Sequence, residues 1–179
     1  MNPDEFVKKL PPVVGWIEQT LARYACLAKP VASLGFKRLP DYYAGDFLAG
    51  TKVVLLPIVP VPPLADLGLP EFASFQNGSY AGITFKNTYF VQSSQAHVEA
   101  LHFHELVHVV QWGHLGVEGF LLTYAAGLIS HGYRNSPLEA MAYDLQNYFL
   151  SSGKPYDVAT DVRASLDRQF PNLMSGQVP

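Results

Sequence analysis

Hydrophobic residues near the start of the chain recur at the spacing of one face of an α-helix. The members of this stripe are Val13, Val14, Ile17, Leu21, Tyr24, Ala25 and Ala28. Pro12 fits the first turn of such a helix, where its missing N–H costs nothing, and Pro30 and Gly35 follow the end. The pattern predicts a scaffold helix within residues 1–30.

The middle of the chain, residues 33–92, has short apolar runs separated by loops. Runs of this length and composition are typical of strands. We predict strands within 34–39, 51–58, 81–85 and 88–92, the last two forming a hairpin around Lys86 and Asn87. The proline-rich run 57–63 lacks the N–H donors of a full ladder, so we expect an edge or an extended loop there.

Helical spacing returns in the second half of the chain, within residues 94–170. The predicted helices cover 95–112, 117–130, a segment that begins at Ser136-Pro137, and 157–170. Gly113 and Gly116 separate the first two of these predicted helices, and Gly132 ends the second. The order of one helix, a small sheet and several helices predicts an α+β fold in a single domain over residues 1–179.

The composition indicates a sizeable core and excludes several classes of protein. Of the 179 residues, 49% are hydrophobic and 15% are charged, which is unlike a disordered chain. The net charge is −3 and the 12 Lys and Arg residues form no basic stripe. We therefore expect no nucleic-acid partner.

Cysteine is scarce, and this restricts the chemistry of any metal site. Cys26 is the single cysteine, so a disulfide framework and a multi-cysteine metal site are both excluded. We expect Cys26 to behave as a small buried hydrophobe on the first helix. A metal site in this chain must therefore use imidazole and carboxylate ligands.

The sequence contains no pattern of a targeting or membrane segment. No apolar run approaches the roughly 18 residues of a spanning helix. The first residues include Asp4 and Glu5, where a signal peptide has a cationic region. We expect a cytoplasmic protein without a membrane span.

Four of the six histidines lie between His102 and His114, and two of them form an H-E-x-x-H pattern. His104 and His108 are four residues apart in a predicted helix, so both imidazoles lie on one face and can meet one metal ion. Glu105 lies beside that face, where its carboxylate can take a proton from a metal-activated water. The pattern predicts a catalytic metal site, with zinc suited to these ligands.

A purely structural helix with histidines satisfied in the core is the alternative interpretation. The neighbours Leu101, Leu106, Val107, Val109 and Val110 are apolar, which indicates a buried helix. Burying two histidines and a glutamate without a common partner is costly, and this favours the metal site. His102 points away from the pair on the helix and is expected to be structural.

Two residues downstream are candidates for a third ligand. Glu139 begins a later helix, and one antiparallel helix with two short turns fits between it and His108. The same glutamate also fits a capping box with Ser136 at the N-cap. His114 occupies the third-histidine position of the metzincin pattern, but Gln111 stands where that pattern has glycine.

Residues 102–144 resemble zincins of the gluzincin type, including the small minigluzincin metallopeptidases. The segments that carry the resemblance are HELVHVVQ from His104 and PLEAMAYD from Pro137, which are also similar to uncharacterised bacterial domains. The resemblance implies a zincin-like α+β fold, with a small mixed sheet, an active-site helix, a backing helix, a glutamate helix and a C-terminal helix. It also implies Zn²⁺ held by His104, His108 and Glu139.

The resemblance further implies a peptide or protein substrate, with Glu105 as general base. Zincins supply an oxyanion donor from a downstream loop, where this chain has His131 and Tyr133. An edge strand before the active-site helix pairs with the extended substrate. Gluzincins also place an aspartate four residues after the ligand glutamate, and this chain has Tyr143 there.

Two functions follow from these patterns. The first is a zinc-dependent metallopeptidase that hydrolyses peptide bonds. The second is a catalytically silent zincin-like module that binds zinc and acts in binding or assembly. The presence of Glu105, the proposed base, favours the enzyme, and the sequence leaves the oligomeric state undetermined.

Overall fold

The computed structural model describes residues 3–151 and 153–171. Its helices are α1 (Pro3–Tyr24), α2 (Gly45–Gly50), α3 (Ala73–Gln76), α4 (Glu99–His131), α5 (Pro137–Leu150) and α6 (Val158–Gln169). Its strands are β1 (Lys29–Pro30), β2 (Lys52–Leu56), β3 (Gly82–Phe85) and β4 (Thr88–Gln92). The predicted α+β class is confirmed; residues 1, 2, 152 and 172–179 of the predicted domain lie outside the described part of the chain.

The four strands form one mixed sheet in the order β1-β2-β4-β3. β2 and β4 are parallel, with Val53 opposite Tyr89, whereas the β3–β4 hairpin is antiparallel, with Thr84 opposite Tyr89. The hairpin turns at Lys86, which adopts a φ of 58°, as predicted around Lys86 and Asn87. β3 is therefore an edge strand, and its hairpin partner β4 leads into the helical half of the fold.

The long helix α4 is the centre of the structure. It packs against α1, α5, α6, β3 and β4. Its helical conformation is interrupted at Gly116, where φ is 68° and ψ is 178°, a backbone conformation that glycine adopts readily. The prediction of two helices separated near Gly116 is thus confirmed, and Gly132, with φ 72°, ends the second half.

The predicted N-terminal helix is present, but it begins at Pro3 rather than near Pro12. Pro11 and Pro12 lie inside α1 and cannot donate backbone hydrogen bonds to the preceding turn. Phe6 and Leu10 continue the apolar face upstream and are buried in the core. Burial of this extra apolar surface offsets the lost hydrogen bonds and extends the helix.

The predicted strand within 34–39 is wrong. Val31–Leu34 and Leu39–Asp41 form short 3-10 turns instead. The Glu99 carboxylate accepts hydrogen bonds from the backbone N–H groups of Arg38 and Leu39, at 2.8 and 3.0 Å. A side chain distant in sequence therefore satisfies the donors that a strand would have placed in a ladder.

Cys26 is exposed, so the expectation of a buried thiol is also wrong. α1 ends at Tyr24, and Cys26 lies in the 3-10 turn Ala25–Leu27, which has no buried residue. The apolar stripe thus loses contact with the core one turn earlier than its spacing predicts. Among the described residues, none of the helices is long and apolar enough to cross a membrane.

Candidate metal centre

His104 and His108 lie one helical turn apart on the part of α4 that precedes Gly116. Their Nε2 atoms are 3.1 Å apart, because the four-residue spacing places both rings on one face. The two residues are only 4% and 5% exposed. The two imidazoles therefore converge on one buried point, as the H-E-x-x-H pattern predicts.

Glu139 reaches the same point from the first turn of α5. Its carboxylate oxygens lie 3.5 Å from His104 Nε2 and 3.4 Å from His108 Nε2. Gly127 allows α5 to begin this close to α4, since a Cβ there would lie 2.9 Å from Ser136 Cβ and 3.0 Å from Pro137 Cδ. The close packing of the two helices thus supplies the third ligand atom.

The three side chains fit a metal ion. Their ligand atoms lie within 4.8 Å of one another, and two imidazoles with one carboxylate are a ligand set that zinc accepts. Glu139 Oε2 is buried and has no hydrogen-bond partner among the described residues. A buried polar atom without a partner needs an explanation, and a shared cation would provide one.

The capping box predicted at the start of α5 is not formed. Ser136 precedes the helix, but its side chain makes no capping hydrogen bond. Its Oγ atom is buried without a partner within residues 3–151 and 153–171. The side chain of Glu139 lies against the histidines rather than folding back over the helix terminus. Its carboxylate therefore contacts His104 and His108 instead of capping α5.

Glu139 and His108 strongly shift each other's pKa. Burial is the largest single influence on His108 and opposes its charged form, but Glu139, Glu105 and Gln111 together outweigh burial and raise the pKa of His108 to about 9. Burial also opposes the charged form of Glu139 and by itself would raise its pKa. The adjacent His108 and His104 instead lower the pKa of Glu139 well below its usual range. The carboxylate is therefore ionised, as a metal ligand requires.

Gln111 orients His108 from the next turn of α4. Its Oε1 atom lies 2.7 Å from His108 Nδ1, and its Nε2 donates to the Leu138 carbonyl at 3.0 Å. Because the amide oxygen only accepts, Nδ1 must carry the proton. This hydrogen bond holds the ring with Nε2 facing the cluster, and in the neutral imidazole Nε2 is then the nitrogen that can bind a metal.

Glu105 lies beside the histidines and against the edge strand. Its Oε2 accepts a hydrogen bond from the Thr84 hydroxyl at 2.6 Å, and a Cβ at Gly82 would overlap Oε1. Burial raises the pKa of Glu105, while His104, His108 and the Thr84 hydrogen bond oppose the increase. A glutamate with a raised pKa is suited to both accepting and returning a proton.

A group of tyrosines surrounds the carboxylate of Glu139. Tyr124 donates a hydrogen bond to Glu139 Oε1 at 2.6 Å. Tyr133 lines the same cavity, and its pKa is raised first by burial and then by the charge of Glu139. Tyr80, whose ring lies 5.1 Å from that of Tyr133, has its pKa raised to about 12 mainly by burial. These phenols remain protonated; Tyr124 donates to Glu139, and Tyr80 donates to the Phe75 carbonyl.

The two predicted oxyanion donors differ in position. Tyr133 lines the cavity together with the metal-binding side chains. His131 is the last residue of α4 and is exposed, and it is not part of the cavity wall among the described residues. The structure brings Tyr133, but not His131, to the site.

His104 is held differently from His108. The Tyr143 ring, which stands where gluzincins have an aspartate, packs edge-on against the His104 ring with 4.7 Å between centroids. His104 Nδ1 has no hydrogen-bond partner among the described residues. Aromatic packing therefore replaces a hydrogen bond in orienting this imidazole.

His114 and His102 lie outside the cluster. His114 Nε2 is 2.7 Å from Asp167 on α6, because the helix continues through Gln111 and turns His114 away from the pair. His102 accepts or donates hydrogen bonds with Tyr89 at 2.8 Å and with the Ala96 carbonyl at 3.0 Å. His102 is thus a buried structural residue, as expected.

The edge strand β3 makes a hydrogen bond to α4 next to the site. The Trp112 indole donates to the Thr84 carbonyl at 3.1 Å, and its ring stacks on Phe120 with 4.0 Å between centroids. The Thr84 carbonyl is therefore occupied within the chain rather than open to an extended substrate. Pro62, from the proline-rich run, contributes to the cavity wall.

Sequence reasoning missed three residues that support the site. Gln111 follows His108 by one helical turn, so helical spacing was a signal that could have found it. Tyr124 and Thr84 belong to other elements, and only the folded chain places them against Glu139 and Glu105. No protein-family model, curated protein or solved structure matches the chain, so the candidate site depends on its own geometry.

Proposed function

We propose that the protein is a zinc-dependent metallopeptidase with a gluzincin-type site. His104, His108 and Glu139 would hold the zinc ion. The observation that carries the proposal is the convergence of their ligand atoms, with Nε2–Nε2 and Nε2–carboxylate distances of 3.1, 3.4 and 3.5 Å. Glu105 is adjacent to the cluster and buried at 3% exposure.

A zinc ion bound there would polarise the scissile carbonyl and acidify a water molecule. Glu105 accepts the proton from the attacking water and returns it to the leaving amine. The Thr84 hydroxyl, 2.6 Å from Glu105 Oε2, holds the carboxylate in one orientation during both transfers. Tyr133 provides an O–H donor for the developing oxyanion.

The experiment that tests this proposal compares the wild type with Glu105→Gln. Both proteins are loaded with one equivalent of zinc and incubated with casein and with a peptide library. We expect cleavage by the wild type and a loss of at least about 100-fold in Glu105→Gln, the usual contribution of a general base. Equal zinc contents in the two proteins would assign the loss to proton transfer.

A second candidate function is a zinc-binding module without catalytic activity. The low exposure of the cluster favours it, since His104, Glu105, His108 and Glu139 are between 2% and 5% exposed. In this case zinc would stabilise the packing of α4 against α5. The same experiment separates the two functions, because the module would bind zinc and cleave no peptide.

A further inference from the structure

A second cavity lies beside α4, at a distance from the metal-binding cluster. None of the residues in its wall also lines the cavity that contains His104, His108 and Glu139. Residues of α2, the β3–β4 turn, α4 and α6 surround it. Its volume is about 620 Å³, within the range of roughly 300–1,000 Å³ that is typical of small-molecule sites. The second cavity is therefore large enough to hold a ligand of its own.

Glycines in the wall leave part of the second cavity open. Gly50, Gly113 and Gly116 line it, and a Cβ atom built on any of them would meet nothing within 4 Å. Gly116 has a positive φ that favours glycine. Gly113 lies in a helical part of α4, where glycine is less favourable than other residues. The effect of glycine at position 113 is thus to leave space beside the helix.

Large apolar side chains from two helices form part of the wall. The contributions of α4 and α2 are Val109, Val110, Trp112, Val117 and Phe47. Apolar surface of this kind is stabilised when an apolar group displaces water from it. The wall therefore favours a ligand with an apolar body.

The charged groups of the same wall all belong to basic residues. Lys86, His114 and Arg163 line the second cavity, and among the described residues no Asp or Glu does. Lys86 forms an ion pair with Glu18, and His114 Nε2 lies 2.7 Å from Asp167, so their acidic partners lie outside the wall. No ion pair within the described part of the chain includes Arg163. A guanidinium group is well suited to bind a carboxylate through two parallel hydrogen bonds.

We propose that the second cavity binds a small organic carboxylate with an apolar body. Its carboxylate would pair with Arg163, and its apolar body would lie against Val109, Val110 and Val117 of α4. Charge complementarity selects this ligand over a neutral or cationic one, because the wall carries basic side chains and no acidic one. The site is independent of the proposed peptidase function, since it shares no residue with the metal-binding cluster.

Calorimetric titration of the full chain with three probes that share one apolar body tests this inference. The probes are 4-phenylbutyrate, the neutral 4-phenylbutan-1-ol and the cationic 4-phenylbutylammonium. We expect the carboxylate to bind about fivefold more tightly than the alcohol, the upper end for an exposed ion pair, and the cation to bind most weakly. The affinity of the carboxylate should be the same with and without one equivalent of zinc.

Two substitutions in the wall are each compared with a matched control. Arg163→Gln should reduce the affinity for the carboxylate to that for the alcohol, whereas Arg168→Gln, on the same helix but outside the wall, should have no effect. Gly113→Leu fills the space beside α4 and should weaken binding of the carboxylate by about 10-fold or more. Gly15→Leu is its control, because a Cβ there also meets nothing within 4 Å and Gly15 does not line the cavity.

Several results would overturn the inference. Equal affinity for the three probes, or equal effects of Arg163→Gln and Arg168→Gln, would mean that the cavity does not select a carboxylate. Carboxylate binding that requires zinc would place the probe at the metal-binding cluster instead. A dimer in sedimentation experiments that Gly113→Leu dissociates would assign the cavity to a second copy of the chain. Arg163 is exposed, so Arg163→Gln provides a test even if circular dichroism shows that Gly113→Leu does not fold.

Discussion

The Oε1 atom of Gln111 lies 2.7 Å from Nδ1 of His108, one helical turn away on α4. The same amide donates to the Leu138 carbonyl in the first turn of α5. Gln111 therefore fixes the tautomer of one proposed zinc ligand and also ties together the two helices that carry the site. Hydrogen bonds of this kind to ligating histidines affect metal affinity.

Replacing Gln111 with Met keeps the approximate shape of the side chain and removes the acceptor. We expect the Kd for zinc to rise about 10- to 100-fold in Gln111→Met, the usual cost of losing such a partner. Competition with a chromophoric chelator measures this change. Gln76→Met is the matched control, because Gln76 also accepts a hydrogen bond, from Ala65 N–H, but lies outside the cluster; an equal effect in both variants would contradict the role of Gln111.

Tyr124 positions the carboxylate of Glu139 through a hydrogen bond of 2.6 Å. Tyr124→Phe removes only the hydroxyl, so we expect weaker zinc binding by about 10-fold, the lower end for loss of such a partner. Tyr148→Phe is the control, since the Tyr148 hydroxyl bonds the Lys154 carbonyl at the surface. Unchanged zinc affinity in Tyr124→Phe would mean that Glu139 is positioned by the helix alone.

Gly82 leaves space for the Glu105 carboxylate. A methyl group at this position would overlap Glu105 Oε1 and lie 2.8 Å from its Cδ, so Gly82→Ala should displace the proposed base. We expect zinc binding to persist while peptide cleavage falls by about 100-fold, comparable with loss of general-base catalysis. Gly45→Ala, which meets nothing within 4 Å, should retain activity; full activity in Gly82→Ala would contradict the assigned position of Glu105.

Local sequence patterns predicted most of the secondary structure, because its determinants are close in the chain. The Lys86-Asn87 turn and the glycine at 116 act on their immediate neighbours, and both predictions are confirmed. The segment around Arg38 was mispredicted because its backbone donors are satisfied by Glu99, whose position depends on tertiary structure. Periodicity cannot report such long-range partners.

The residues of the candidate site likewise fall into those that local sequence predicts and those that only the fold brings together. His104 and His108 follow from helical spacing alone, and the geometry of the chain brings Glu139 to them. Tyr124 and Glu139 lie on different helices, and Gly127 permits the close packing of α4 against the start of α5. Because glycine has no side chain, residue 127 lets the two helices pack closely, and no local sequence motif predicts this contact.

Asp157 caps α6, the helix that packs against α4. Its carboxylate accepts hydrogen bonds from the N–H and the hydroxyl of Thr160 at 3.1 and 2.6 Å, and these bonds lower its pKa. Asp157→Ala should reduce the free energy of unfolding by about 1 kcal/mol at pH 7. Because the folded-state pKa is lowered, this contribution is present above the unfolded pKa of roughly 3.9 and declines as pH falls below it.

Urea denaturation of wild type and Asp157→Ala at pH 7 and pH 3 measures this effect. The difference between the two proteins should be smaller at pH 3. Asp66→Ala, in an exposed loop position, should match the wild type at both pH values. A difference that grows on acidification would contradict the assignment of Asp157 as an ionised cap.

Metal analysis of the natively purified protein tests the proposed zinc site most directly. We expect about one zinc per chain in the wild type and in the exposed control Glu118→Ala, with the metal lost or greatly reduced in Glu139→Ala. His114→Ala should retain full zinc content, because His114 pairs with Asp167. A wild type without zinc, both as purified and after incubation with the ion, or a Glu139→Ala protein that binds zinc as tightly as the wild type, would contradict the proposed ligand set.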